Sequence, residues 1–296
     1  MSQAARVERP GILWAAPALV FFGLFGLGPV VVVAYLSFTQ WNGLETPVWV
    51  GMENWQALPG DPNVGHGLLI SLGLTSLCWL TQTPLAIMFG AWAAGKQRIR
   101  AVASAIFFLP LLLSTAAIAL IWRALLDPNF GLAPDIGPFM GLPNGNFLGN
   151  GSIALYVIAF VILWQFLPFH MLLYQAAARD IPRNFYEAAE IDGASRLQQF
   201  FSITVPQLRN TIIASSILII VNSMTFFETV LLLTNGGPGT ATRILPLHMY
   251  FRGFSGFEMG YASAIAVVLV AVGTTLSLLI VRITGYSKMT SQREGA

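Results

Sequence analysis

Six stretches of this chain are too long and too apolar to be covered by anything but lipid or protein: 12–38, 68–94, 101–122, 153–174, 211–234 and 262–281. About 20 such residues cross a bilayer as an α-helix. In lipid, every backbone N–H and C=O must find its partner inside the structure, which leaves helices or closed barrels. The runs are helix-length and continuous rather than alternating. The expectation is an all-α polytopic membrane protein with six transmembrane helices in one domain, 1–296.

Composition agrees, with 9% charged residues among 296 and 55% hydrophobic, against about 25% charged in soluble domains. Arg6 and Arg9 precede the first run as they would a secretion signal. The run is too long for a signal core, however, and has no small-residue cleavage site, so it reads as a retained helix. Cys78 is the only cysteine, which excludes an intrachain disulfide or a thiolate metal cluster. A net charge of +2 gives no reason to expect nucleic acid.

The distribution of that charge says more. Arg6, Arg9, Lys96, Arg98, Arg100, Arg179, Arg183, Arg196, Arg209, Arg282, Lys288 and Arg293 fall in one set of alternate segments, and only Arg123, Arg243 and Arg252 in the other. The positive-inside rule then places both termini, and the loop between the fourth and fifth runs, in the cytoplasm. The outer segments, 39–67, 124–152 and 235–261, are rich in Gly, Pro, Asn and aromatics such as Trp41, Trp49 and Trp55. They suit caps and short interfacial helices. Pro17, Pro29, Pro84, Pro110 and Pro168 lie inside apolar runs, where each removes a donor and bends its helix. Pro168, among Gln165 and His170, is the expected functional break.

The loop 180–206 carries its own punctuation. Asn184 with Glu187 reads as a capping box, a helix follows through Tyr186–Ile191, and Gly193 suits the left-handed position after its end. Ser195 with Gln198 repeats the box for a second helix, which Pro206 ends. Ala188 and Ala189 offer a small surface for close approach. Glu187 can be read as simply capping its own helix; the whole pattern, E-A-A, three residues, G, nine residues, I-T-V-P, argues for more.

With that pattern the chain resembles the permease subunits of binding-protein-dependent ABC importers, in the carbohydrate branch typified by the maltose permease. Three passages carry the likeness: Trp164-Gln165-Phe166-Leu167-Pro168-Phe169, Tyr186-Glu187-Ala188-Ala189-Glu190-Ile191-Asp192-Gly193-Ala194, and Leu233-Thr234-Asn235-Gly236-Gly237-Pro238. It extends from about Ile12 to Tyr286. Val205 stands where the family usually has Leu, and the maltose permease's extra N-terminal helices and large outer insertion are missing.

The resemblance implies a type I ABC importer transmembrane domain that is a mechanical part, not an enzyme. Tyr186, Glu187, Ala188, Ala189, Asp192, Gly193 and Ala194 would form a coupling helix docked on a separate ATPase subunit. ATP and Mg²⁺ would sit on two such ATPases, with no cofactor on this chain. A second related permease would complete the pore in a bacterial or archaeal inner membrane. An extracytoplasmic solute-binding protein would deliver a sugar. Glycerol phosphate or another polyol, carried by related permeases, is the alternative cargo.

Polar groups inside a membrane are costly and invite a functional reading. Counted from Arg209, Asn222 lies about 20 Å along the fifth helix and Glu228 about 28 Å, near the outer interface. Asn222, Thr225 and Phe226 share a face at helical spacing. An amide and a hydroxyl beside a ring suit an uncharged sugar. By resemblance the substrate pathway also takes in Gln165, Phe166, Phe169 and Ser223, with Phe227 and Glu228 beside them; each could equally serve helix–helix packing. For Glu228, pairing with Arg243 or Arg252 ranks above contact with substrate.

Three rival readings fail on specific residues. Gly90–Gln97 nearly matches a phosphate loop, but Gln97 cannot supply the Mg²⁺-binding hydroxyl and no strand precedes it. Gly253-Phe254-Ser255-Gly256 resembles the nucleophile motif of an intramembrane serine protease, yet no histidine follows His248 to act as base. His66, His170 and His248 lack metal-ligand spacing. A self-sufficient secondary carrier needs a midplane carboxylate, and Glu228 sits too far out.

Overall fold

The computed structural model describes residues 12–95 and 97–284. Arg6, Arg9, Lys96, Lys288 and Arg293, part of the charge argument above, lie outside the described residues, as does Tyr286. The order is α1 (Ala16–Leu36), a hairpin β1 (Thr39–Gln40) and β2 (Val48–Trp49), α2 (Glu53–Ala57), α3 (Pro62–Ala93), α4 (Arg98–Phe108), α5 (Thr115–Leu125), α6 (Ala133–Ile136), α7 (Ala154–Arg179), α8 (Arg183–Ile191), α9 (Arg196–Gln207), α10 (Arg209–Ser223), α11 (Phe227–Thr234), α12 (Leu245–Tyr250) and α13 (Met259–Thr284). Four of these helices (α1, α3, α7 and α13) are long and apolar enough to cross a membrane, and six spans result if each of two bent pairs counts as one.

The third and fifth apolar runs are not single rods. Beyond α4 the chain winds into a 3₁₀ turn, Leu109–Leu112, and Leu113 and Ser114 are extended; α5 leaves at 95°. Pro110, lacking an N–H, cannot continue the α ladder, and Ser114 accepts from the Ala117 N–H to start a new helix. The fifth run breaks at 224–226, where the Asn222 carbonyl accepts both the Thr225 N–H (2.9 Å) and the Thr225 hydroxyl (2.8 Å). That local bond competes with the helical one. Conversely, α7 runs unbroken through Pro168. The expected break there is replaced by breaks at 113–114 and 224–226.

Proline also explains two π turns. Gly23–Leu27 lies just before Gly28-Pro29, and Phe200–Thr204 just before Val205-Pro206. Widening the turn moves the preceding carbonyls out of the proline ring's way. The chain does not stop at Pro206 as expected; it turns by 69° after Gln207.

The described residues form two compact units, 12–60 with 249–268 and 61–248 with 269–284. In the first, the Asn54 amide donates to the carbonyls of Ser37 (3.0 Å) and Thr39 (2.9 Å), and Trp55 donates to the Ser37 hydroxyl. The Phe38 and Trp49 rings stack at 5.6 Å, which closes the hairpin. Arg252 pairs with Glu258 at 2.7 Å and lies over the Tyr261 ring.

In the second unit α3 and α7 pack face to face. A Cβ on Gly90 would stand 2.6 Å from the Tyr174 Cβ and 2.8 Å from the Met171 carbonyl, so only glycine permits this approach. Polar side chains lock the pair and its neighbour α10. Gln175 donates to the Ala93 carbonyl (2.9 Å), the His170 Nδ1 meets the Ser215 hydroxyl (2.8 Å), and the Trp79 indole donates to Ser216 (2.7 Å).

Candidate functional site: an exposed helix and a polar waist

The short helix α8 is held at both ends by backbone geometry. Pro182, extended at φ −60° and ψ 136°, starts it; Asn184 does not cap it, its side chain accepting only from the neighbouring Phe185 N–H. The expected first capping box is therefore absent, because the helix begins two residues earlier, with Pro182 at the cap position and Arg183 first in the helix. The C-terminus is as the sequence suggests. Gly193 has φ +77°, its N–H donates to the Glu190 carbonyl (3.1 Å), and the Ala194 N–H donates to Ala189 (2.8 Å). These are the two bonds of a Schellman stop. The Ser195–Gln198 box is present in full and opens α9.

One side of α8 is tied back. The Tyr186 hydroxyl bonds Thr204 at 2.9 Å, and Ala189 and Ala194 are half-buried. Glu187, Ala188, Asp192 and Gly193 are exposed. So are apolar neighbours: Ile191 is 87% exposed and Leu197 68%. A rigidly capped helix presenting isoleucine to solvent has the character of a docking element, since buried apolar anchors supply most interface energy.

The second cluster lies where α7 passes both breaks. Gln165, only 3% exposed, donates to the Thr115 hydroxyl at the start of α5 (3.3 Å), and its amide oxygen has no hydrogen-bond partner among the described residues. At the next residue, the Phe166 ring packs on Phe226 in the second break, 5.2 Å between centroids. Thus two adjacent residues of α7 touch the broken ends of both interrupted runs. Asn222 is half-buried, and Ser223 is buried with its hydroxyl on the Ile219 carbonyl. Phe227 is half-buried and Glu228 exposed. Phe169 is exposed and meets His170 edge to face.

The break changes part of the expectation. Asn222, Thr225 and Phe226 do not share a helical face, because Thr225 and Phe226 lie in the turn itself. The count of rise along a straight helix to Glu228 fails for the same reason. Thr115 and Ser114 were missed by sequence reasoning. The available signal was a capping serine inside an apolar run, four residues after Pro110. The Asn-Gly-Gly-Pro passage forms a knot outside this cluster: Asn235 ends α11 at φ +52°, and the Thr242 hydroxyl bonds both Thr234 and the Gly237 carbonyl at 2.8 Å.

Residues 86–285 match the family described as binding-protein-dependent transport system inner membrane component. The chain is 34% identical over 277 residues to a protein of Pyrococcus horikoshii named as a probable ABC transporter permease, covering 90% of this chain and 92% of that one. It is 30% identical over 269 residues to the multiple sugar-binding transport system permease protein MsmF of Streptococcus mutans serotype c, covering 90% and 92%. Among solved structures it is similar in fold to a chain of a bacterial alginate ABC transporter crystallised with its alginate pentasaccharide-bound periplasmic protein. The TM-score is 0.80 at 21% identity, over 95% of this chain and 96% of that one. The chain therefore belongs to the family of inner membrane components of binding-protein-dependent transport systems.

Proposed function

We propose that this chain is one of two related permease subunits of an ATP-driven importer that takes a sugar from an extracytoplasmic solute-binding protein. ATP and Mg²⁺ are held and ATP is hydrolysed by two separate ATPase subunits, and this chain performs no catalysis. Tyr186, Glu187, Ala188, Ala189, Asp192, Gly193 and Ala194 form the surface that meets an ATPase on the cytoplasmic side, where both termini also lie. The observation that carries this reading is α8: stopped at Gly193, tied down through Tyr186, and presenting Ile191 to solvent beside Glu187, in a member of this transport family. The Lys and Arg bias of the sequence supports its sidedness. The sugar-binding name of MsmF and the sugar-loaded protein in the alginate complex support the cargo and the delivery partner.

Mechanically, closure of the ATPases moves α8, and α8 follows α7 after only three residues, 180–182. The bonds from α7 to α3 and α10 make these helices move together, as expected of a rigid-body transition. Gln165, Phe166, Phe169, Asn222, Ser223, Phe226 and Phe227 line the substrate pathway. The unmatched Gln165 oxygen is the acceptor a sugar hydroxyl completes, and the Phe166–Phe226 pair offers a flat face to its C–H groups. Glu228 stands at the edge of this path.

Uptake of labelled sugars into vesicles containing all subunits tests the reading. Glu187→Lys abolishes uptake while membrane insertion is retained; normal uptake by that variant removes the coupling role. Asn222→Ala weakens or alters uptake with ATPase docking intact. Uptake of glycerol phosphate in place of any sugar changes the cargo and leaves the coupling role standing.

A further inference from the structure

Beside the coupling loop lies an open cleft of about 810 Å³ between the C-terminal end of α3 and the helix α9. It is of the size that accommodates a small organic ligand, and of its lining residues the transport reading uses only Tyr186. Ile87, Met88, Phe200 and Phe201 supply an apolar floor, while Arg100 and Arg196 stand among its lining residues. Among the described residues, no carboxylate lines it. Arg100 is oriented by its own surroundings: Nη1 donates to the Trp92 carbonyl (2.7 Å), Nε donates to Gln97 (3.2 Å), and the guanidinium lies 5.4 Å from the Trp92 ring centroid. Two bonds leave further donors of the five on a guanidinium.

An occupant must therefore combine an anionic head with an apolar body. A soluble anion would leave the floor wet, and an apolar helix would leave two cations unmatched. We infer that the cleft binds an anionic phospholipid of the inner leaflet, its phosphate between Arg100 and Arg196 and its acyl chain along Ile87 and Phe200. Basic pockets at the cytoplasmic ends of membrane helices take such headgroups. The lipid then touches both a membrane helix and the loop bearing α8, and so sets how firmly that loop is held. The inference rests on the cytoplasmic placement proposed above.

The test is lipid retention by the complete transporter complex, purified and reconstituted in nanodiscs with phosphatidylglycerol, phosphatidylcholine or a mixture, and read by native mass spectrometry. The wild type retains phosphatidylglycerol over phosphatidylcholine. At about 1 kcal/mol per basic residue, Arg100→Gln with Arg196→Gln weakens retention by about thirtyfold. Arg98→Gln, at the same helix start but outside the cleft, leaves it unchanged. Equal retention by wild type and double variant overturns the proposal. So does displacement of the lipid by inorganic phosphate alone, or a structure of the complex with a partner's polypeptide filling the cleft. Transport is not the readout, so failure of sugar uptake and failure of lipid binding are separate results.

Discussion

The exposed helix α8 and the α3–α7 pair are both helical and both essential to the proposed mechanism, but they are built by opposite means. Everything that fixes α8 lies within about a dozen residues of it: an extended proline, a left-handed glycine, a serine–glutamine box and one tyrosine hydroxyl. What fixes α3 against α7 is distant in sequence: Gly90 under Tyr174, and Gln175 reaching Ala93. Local devices make an element that can be moved as a unit. Long-range packing makes the frame that moves with it.

The sharpest way to break that contrast is Gly90→Leu. The side chain has no space between backbones already in contact, and overpacking typically costs about 1–3 kcal/mol or more. The purified protein should melt well below wild type or fail to accumulate in the membrane; a wild-type melting curve would show that the two helices part easily. Gly193→Val forces a β-branched residue into a left-handed backbone, a strain of about 1–2 kcal/mol confined to the loop. Uptake should fall while thermal stability of the membrane helices barely changes. Equal losses of both would mean that the loop and the frame are one cooperative unit.

Smaller effects sharpen the comparison further. Ser195→Ala removes one cap, about 1 kcal/mol, and amide exchange should quicken over α9 alone. Gln165→Leu deletes a buried oxygen that is unmatched together with one hydrogen bond to Thr115, a net loss of about 1 kcal/mol. Its melting temperature should hold within a few degrees while substrate-dependent uptake changes; a large drop in stability would make Gln165 a structural residue. The last effect concerns the N-terminal end of α3. Burial raises the Asp61 pKa, but the Asn63 N–H and His248 (3.2 Å) outweigh it and hold the carboxyl below its ordinary value. A depressed carboxyl stabilises the fold above its unfolded pKa of about 4 and loses that contribution as pH falls through the folded value. Asp61→Asn should flatten the acid limb of a stability–pH curve, and an unchanged limb would exclude this contact as its source.

The two regions also differ in how far the sequence revealed them. The stop at Gly193 and the Ser195–Gln198 box were legible because each is a local rule with a local outcome. The Asn184 cap was misplaced because an extended Pro182 takes the same role two residues earlier. The waist was half legible: Gln165, Phe166 and Phe226 stood out as polar or aromatic groups in apolar runs, but their meeting depends on two breaks. Pro168 drew attention as the break point, and α7 continues through it. Pro110, followed by a serine able to cap, and Thr225, bonding back to Asn222, break their helices instead.

Hydrophobic run lengths and the charge asymmetry were enough to fix an all-helical membrane chain, since the cost of bare backbone in lipid permits little else. Short-range hydrogen bonding was enough to define the helix around Glu187. Only the three-dimensional packing decided where the third and fifth runs divide, and which side chains meet there. Where a helix can break in an apolar setting depends on what packs against the break, and those neighbours, such as Gln165 on the Thr115 hydroxyl, are dozens of residues away along the chain.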